Sequence, residues 1–149
     1  MIYSIYVLFI KVLHPSGSTF KKVKIPLLSD SISAGFPSPA DDYKEENIDL
    51  NEHLISNPFS TFFLRVKGDS MINAGIKDKD LIIVDKSLIA KPGNIIIAMI
   101  DGEFTIKRLS IKNDELYLKA ENNNYPNFRF KNHVDVQIWG VVIYSIHSH

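Results

Sequence analysis

The fold is decided by residues 94–109, which read NIIIAMIDGEFTIKRL. Two runs of mostly β-branched and aromatic residues flank Asp101-Gly102. This dipeptide favours the type I′ turn of a two-residue β-hairpin, because both of its residues tolerate positive φ. Similar runs predict further strands, over residues 61–66, 81–85, 115–119 and 134–146. We therefore predict a mainly β fold.

One or two short helices are expected beside these strands. Residues 49–55 carry the pattern of one, with Asp49 as N-cap and Glu52 three positions later. Asp41-Asp42 and Glu45-Glu46 are expected to flank an exposed loop and to form a solvated face rather than a catalytic carboxylate pair. Residues 29–40 contain several Ser, Pro and Ala residues with little apolar area, which predicts an exposed, mobile connector. The segment before this connector is predicted to be an appended arm.

Composition excludes several function classes. The chain has 149 residues, 17 basic and 17 acidic side chains and no cysteine. A neutral balance argues against a general nucleic-acid binder. The lack of cysteine excludes disulfides, cysteine zinc sites and a cysteine nucleophile, and it suits the cytoplasm. Residues 1–12 are too short to span a bilayer, so no membrane contact is expected.

Histidine and carboxylate patterns do not indicate a metal or a cofactor. No phosphate-binding loop, dinucleotide motif or zinc-protease motif is present in the sequence. His147 and His149 are expected in a frayed terminus, since no further ligand-type residue is near them in the sequence. We therefore predict no metal site and no cofactor.

Ser70 and Lys107 form the informative pair. Ser70 lies shortly after a predicted strand and just after Gly68, which favours a tight turn. Such a turn would present the Ser70 hydroxyl to solvent. It would also leave backbone N–H groups, such as those of Asp69 and Ser70, free to bind an oxyanion. Lys107 alternates with Thr105 and Leu109 on one face of its strand. A lysine beside apolar groups has a lowered pKa and can serve as the base for a serine. The ordinary alternative is an edge-strand lysine that discourages aggregation.

A family resemblance favours the catalytic interpretation. Residues 33–41 (SAGFPSPAD), 68–71 (GDSM), 75–85 and 101–109 (DGEFTIKRL) occur in the order seen in the LexA/UmuD family of self-cleaving Ser-Lys peptidases. The resemblance extends from about residue 25 to residue 145. It implies that Ser70 is the nucleophile, that Lys107 is the general base and that the scissile bond joins Ala34 to Gly35.

The same resemblance implies an architecture and a biological role. The architecture would be a LexA/signal-peptidase-like compact β body over residues 35–149, with a flexible N-terminal arm, residues 1–34, that self-cleavage removes. A RecA–single-stranded DNA filament would stimulate cleavage in the SOS response. The processed homodimer would serve a UmuC-type error-prone translesion DNA polymerase, without sequence-specific DNA binding of its own.

Two alternatives stay open at the level of sequence. A LexA-like repressor needs a helix-turn-helix domain before the cleavage site, and the 33 residues before Ala34 show no helical periodicity. A catalytically inactive binding module of the same fold is disfavoured by the presence of both Ser70 and Lys107.

Overall fold

The computed structural model describes residues 22–28, 34–35, 45–130 and 135–149. These residues divide into two compact units, one within residues 14–56 and the other over residues 57–149. Most of the predicted flexible arm lies outside the described residues. The boundary between Ala34 and Gly35 was predicted as a site of cleavage and stays a prediction. Among the described residues, no helix is long and apolar enough to cross a membrane.

The smaller unit contains a two-stranded antiparallel sheet and one short helix. Strand β1 (Ile25–Leu28) pairs with strand β2 (Glu45–Ile48), and helix α1 (Leu50–Leu54) follows. The Asp49 carboxylate accepts a 2.9 Å hydrogen bond from the Asn51 N–H, which confirms the predicted N-cap. Strand β2 was not predicted, because β1 supplies main-chain partners that local sequence does not reveal. Glu46 is exposed, as expected for a solvated face.

The larger unit is built on a seven-stranded sheet. Every neighbouring pair of strands is antiparallel, in the order β3-β4-β9-β5-β6-β7-β8. The mainly β prediction is confirmed. The strands are β3 (Thr61–Arg65), β4 (Leu81–Asp85), β5 (Ile95–Ile100), β6 (Glu103–Lys112), β7 (Glu115–Lys119), β8 (Phe128–Arg129) and β9 (Val136–Ile146), with a 3-10 turn at Ile72–Ala74.

Two tight turns shape the hairpins of β5, β6 and β7. Asp101 and Gly102 have φ angles of 50° and 86°, as the predicted type I′ turn requires. Asn113 and Asp114 have φ angles of 53° and 61° and form a second two-residue turn. The sequence analysis did not predict this turn, so β6 continues three residues beyond the predicted end at Leu109.

Apolar side chains cover both faces of the larger sheet. On β6, Ile106 belongs to one buried cluster and Leu109 to the other, as strand alternation requires.

The C-terminal residues contact the larger sheet through His147. His147 Nδ1 lies 2.6 Å from Asp80 Oδ1, so the prediction of a frayed terminus is wrong at this residue. Asp80 is buried, and a buried carboxylate favours a hydrogen-bond partner.

Strand β9 lies in the middle of the sheet and carries two irregularities. Its pairing shifts by one residue against β4 and again against β5, the latter next to Gly140. A Cβ atom at Gly140 would lie 2.7 Å from Val84 Cγ1 and 3.3 Å from the Asp85 carbonyl oxygen. The close approach of β9 to the end of β4 therefore depends on a residue without a side chain.

We expect Gly140→Ala to lower the free energy of unfolding by about 1–3 kcal/mol, because the new methyl group overpacks a region where Val84 is completely buried. Denaturant unfolding measures the loss. In a double-mutant cycle, Val84→Ala should relieve part of it, so that the double variant is less destabilised than the sum of the two single variants. Strict additivity would show that the methyl group does not meet Val84.

Candidate active site

Ser70 lies in a turn that is fixed on both sides. Just after β3, the Val66 N–H donates to the Asp80 carbonyl at 2.9 Å, and the chain then turns at Gly68, whose φ is 93°. The Gly68 N–H donates to the Asp78 carboxylate at 2.6 Å. Met71, directly after Ser70, is buried in the first apolar cluster. The Ser70 hydroxyl is thereby held at a half-buried position next to the core.

Lys107 lies in the middle of β6, opposite Ile96 of β5. Its side chain is only 4% exposed. It shares a strand face with Thr105 and with Leu109 of the second apolar cluster, as predicted. Because β6 lies between β5 and β7, the edge-strand interpretation of this lysine is wrong. The hairpin places the amine inside the protein.

Three oxygen atoms surround the Lys107 amine. Nζ lies 3.2 Å from Ser70 Oγ, 3.1 Å from Thr105 Oγ1 and 2.9 Å from the Ile106 carbonyl oxygen. When the amine is neutral, its two N–H groups can donate to Thr105 and Ile106. Its lone pair is then directed at the remaining partner, the Ser70 hydroxyl, which can donate its proton to the nitrogen.

Burial lowers the pKa of Lys107 from its ordinary value of 10.5 to about 8. Transfer of an ammonium group out of water disfavours the charged form. Among the described residues, no carboxylate lies within 4 Å of Nζ to oppose this effect. About a tenth of Lys107 is therefore neutral at pH 7 and about half at pH 8, and the neutral form can accept a proton.

Backbone N–H groups lie beside the serine. Within the described part of the chain, the N–H groups of Asp69 and Ser70 have no hydrogen-bond acceptor. The Asp69 carbonyl, in contrast, accepts hydrogen bonds from the Ile72 N–H and from Asn122 Nδ2, both at 3.1 Å. Two donors near a nucleophile are the arrangement that an oxyanion requires. Their role as an oxyanion hole stays a prediction.

The predicted scissile bond belongs to the smaller unit. Ala34 and Gly35 are both exposed and lie in a bend. An added Cβ at Gly35 would have no atom within 4 Å. Cleavage of this bond by Ser70 stays a prediction.

Sequence analysis missed three side chains that contact the site. Thr105 was placed on the Lys107 face by alternation, but its hydrogen bond to the amine was not foreseen. Asn122 and Tyr125, which both donate to Asp69, fell in a segment interpreted only as a turn. The run of three asparagines at residues 122–124 was the sequence feature that could have drawn attention to this loop.

Within the described residues, no group of three His, Cys, Asp or Glu side chains could hold a metal ion.

The buried amine predicts a pH-dependent stability. Above about pH 8 the folded state releases the Lys107 proton, whereas the unfolded chain keeps it up to about pH 10.5. The unfolded state then binds more protons, so stability rises with pH in this window. This prediction compares two proteins that both carry Ser70→Ala, one with Lys107 and one with Lys107→Met. Between pH 8 and 10.5, the free energy of unfolding of the protein with Lys107 should rise by up to about 3 kcal/mol relative to that of the Lys107→Met protein.

Denaturant unfolding at several pH values measures this gain. Lys112→Met changes an exposed lysine on the same strand and serves as the matched control. A difference between Lys107 and Lys107→Met that stays constant from pH 7 to 10 would contradict the lowered pKa.

Comparison with known proteins identifies the family. Residues 26–143 match the peptidase S24-like family. The chain is 45% identical to protein ImpA of Salmonella typhimurium over 122 residues, 82% of this chain and 83% of ImpA. It is 41% identical to protein MucA of Escherichia coli over 126 residues, 84% of this chain and 86% of MucA.

The LexA repressor of Caldicellulosiruptor saccharolyticus is 40% identical over 121 residues, which are 81% of this chain but 57% of the repressor. ImpA and MucA are homologues of UmuD, so the resemblance inferred from the motifs is confirmed. The chain belongs to the peptidase S24 family of SOS-related, self-cleaving serine peptidases, and within it resembles the UmuD-like members.

Proposed function

We propose that this protein cleaves its own Ala34–Gly35 bond, with Ser70 as nucleophile and Lys107 as general base. The observation that carries the proposal is the 3.2 Å separation between Lys107 Nζ and Ser70 Oγ. A buried amine with a pKa of about 8 is a far better proton acceptor at physiological pH than an ordinary lysine. Membership of a serine peptidase family supports the same assignment.

The reaction follows the logic of a serine–base pair. Neutral Lys107 takes the hydroxyl proton as Ser70 Oγ attacks the carbonyl carbon of Ala34. The N–H groups of Asp69 and Ser70 stabilise the negative charge on the carbonyl oxygen. The Lys107 ammonium then gives its proton to the leaving nitrogen of Gly35. Water, activated by the neutral amine, hydrolyses the ester between Ala34 and Ser70.

Thr105 and the Ile106 carbonyl act as positioning groups in this scheme. They accept the two N–H groups of neutral Lys107 and so direct its lone pair toward Ser70. Both groups also accept from the ammonium form, in which the third N–H points to Ser70 Oγ. The amine can therefore gain and lose a proton without leaving its place.

Membership of an SOS-related family supports a proposal for regulation and partners. Cleavage is stimulated by a RecA–single-stranded DNA filament, and the product, residues 35–149, acts as a homodimeric accessory subunit of a UmuC-type translesion polymerase in the cytoplasm. The UmuD-like relatives support this role.

Adding the RecA–single-stranded DNA filament should accelerate cleavage of the purified protein. A filament without effect on the cleavage rate would contradict this part of the proposal.

Cleavage without the filament is expected at alkaline pH. Purified protein incubated between pH 7 and 10 should yield two fragments, residues 1–34 and 35–149, identified by mass spectrometry. Only the neutral amine accepts the Ser70 proton, so the rate should rise about tenfold from pH 7 to 9, through the pKa of about 8, and then level off.

The variants Ser70→Ala and Lys107→Ala should each lower the rate at least about 10³-fold. Lys112→Ala removes an exposed lysine from the same strand and should cleave at the wild-type rate. Cleavage by Lys107→Ala at the wild-type rate would exclude it as the base. A wild-type protein that stays intact with and without the filament would favour the inactive binding module.

A further inference from the structure

A loop outside the Ser–Lys pair holds the residue before the nucleophile. Asn122 is 9% exposed. Its Nδ2 donates to the Asp69 carbonyl at 3.1 Å and lies 3.3 Å from the Asp69 carboxylate oxygen Oδ2. The Tyr125 hydroxyl donates to the other carboxylate oxygen of Asp69. Both the main chain and the side chain of Asp69 are thus bound to one loop.

The bond to the Asp69 carbonyl has a consequence for Ser70. The peptide unit that joins Asp69 to Ser70 is planar and trans, so its C=O and its N–H point in opposite directions. Asn122 Nδ2 and the Ile72 N–H both donate to that carbonyl. By holding the carbonyl, they also fix the direction in which the Ser70 N–H points.

We propose that Asn122 is a positioning residue that aims the Ser70 N–H at the oxyanion formed during cleavage. The inference rests on the function proposed above and deepens it. Asn122 does not touch the reacting atoms. It acts through the Asp69 carbonyl, and its contribution is felt where negative charge develops, in the transition state.

The loop is rigid enough to serve this purpose. The Glu121 carbonyl accepts a 2.9 Å bond from the Asn73 N–H, just beyond the Ser70 turn. The Glu121 carboxylate accepts a 2.6 Å hydrogen bond from Arg108 Nε, and this bond lowers the pKa of Glu121. Asn122 Oδ1 accepts from the Asn124 N–H at 3.0 Å, so the orientation of the amide is set. Asn122 is therefore fixed from several sides.

Asn122→Ser tests the role without a change of charge. A serine Oγ can still accept from the Asn124 N–H, but it is too short to keep the contact with the Asp69 carbonyl. We expect the plateau rate of self-cleavage above pH 9 to fall about 10- to 100-fold, less than the direct loss of an oxyanion donor costs. The midpoint of the pH profile should stay near 8, because Asn122 makes none of the hydrogen bonds of the Lys107 amine.

Matched controls separate positioning from folding. Asn123→Ser makes the same change at the exposed neighbouring position and should keep the wild-type rate. Asn122→Asp keeps the shape and the acceptor for Asn124 but loses the donor, so it should also be slow. Thermal unfolding identifies any variant that fails to fold. If one of the two variants at position 122 does not fold, the cleavage rate of the other is compared with that of the wild type.

A fluorophosphonate probe gives a second readout that needs no arm. Ser70 Oγ attacks the phosphorus, the P–F bond breaks, fluoride leaves, and Lys107 takes the hydroxyl proton. The phosphoryl oxygen occupies the position of the oxyanion, so labelling should slow with Asn122→Ser to a similar extent as cleavage. Intact-mass measurement follows the adduct.

The outcomes distinguish this inference from the proposed function. If the wild type cleaves and Asn122→Ser cleaves or labels as fast, the role of Asn122 is overturned and the proposed function stands. If the wild type is labelled but never cleaves, the proposed function falls, and the labelling rates alone decide the role of Asn122. If the wild type is neither labelled nor cleaved, both are overturned.

Discussion

The arrangement around Ser70 depends on one constraint, the burial of the Lys107 amine. Removal of a charged group from water is costly, and in the part of the chain that the structure describes no carboxylate lies within 4 Å to compensate for it. The protein instead offers three neutral oxygens, which suit the ammonium and the amine alike. A lysine that would only be an ordinary cation on the surface becomes, in this environment, a group that exchanges a proton near neutral pH.

Ser70 and Lys107 are in contact although they lie 37 positions apart in the chain and far apart in the sheet order. Ser70 follows β3, at one side of the sheet, whereas Lys107 lies on β6, and strands β4, β9 and β5 separate them in the sheet order. The turn that carries Ser70 is linked back to β6 through the 121–125 loop. The links are a hydrogen bond from Arg108 to Glu121 and a hydrogen bond from Asn122 to Asp69. Ser70 and Lys107 are therefore linked both directly and through a second route of hydrogen bonds.

Sequence predicted the parts of the fold that depend on local chemistry. The hairpin at Asp101-Gly102, the strands around it and the face that Lys107 shares with Leu109 follow from turn preference and alternation. The features that were missed depend on partners distant in the chain. No local pattern predicts the pairing of β1 with β2 or the contact of His147 with Asp80. The asparagine run at residues 122–124 indicates a polar loop, but it does not reveal that Asn122 binds Asp69.

The charge state of Lys107 tests the account most directly. Protein carrying Ser70→Ala, with ¹³C-labelled lysine side chains, can be titrated by NMR through the shift of the Lys107 Cε, assigned by comparison with Lys107→Met. We expect a Lys107 midpoint at about pH 8. A Lys107 midpoint close to 10.5 would show that burial does not prepare the amine to act as a base, and would contradict the account.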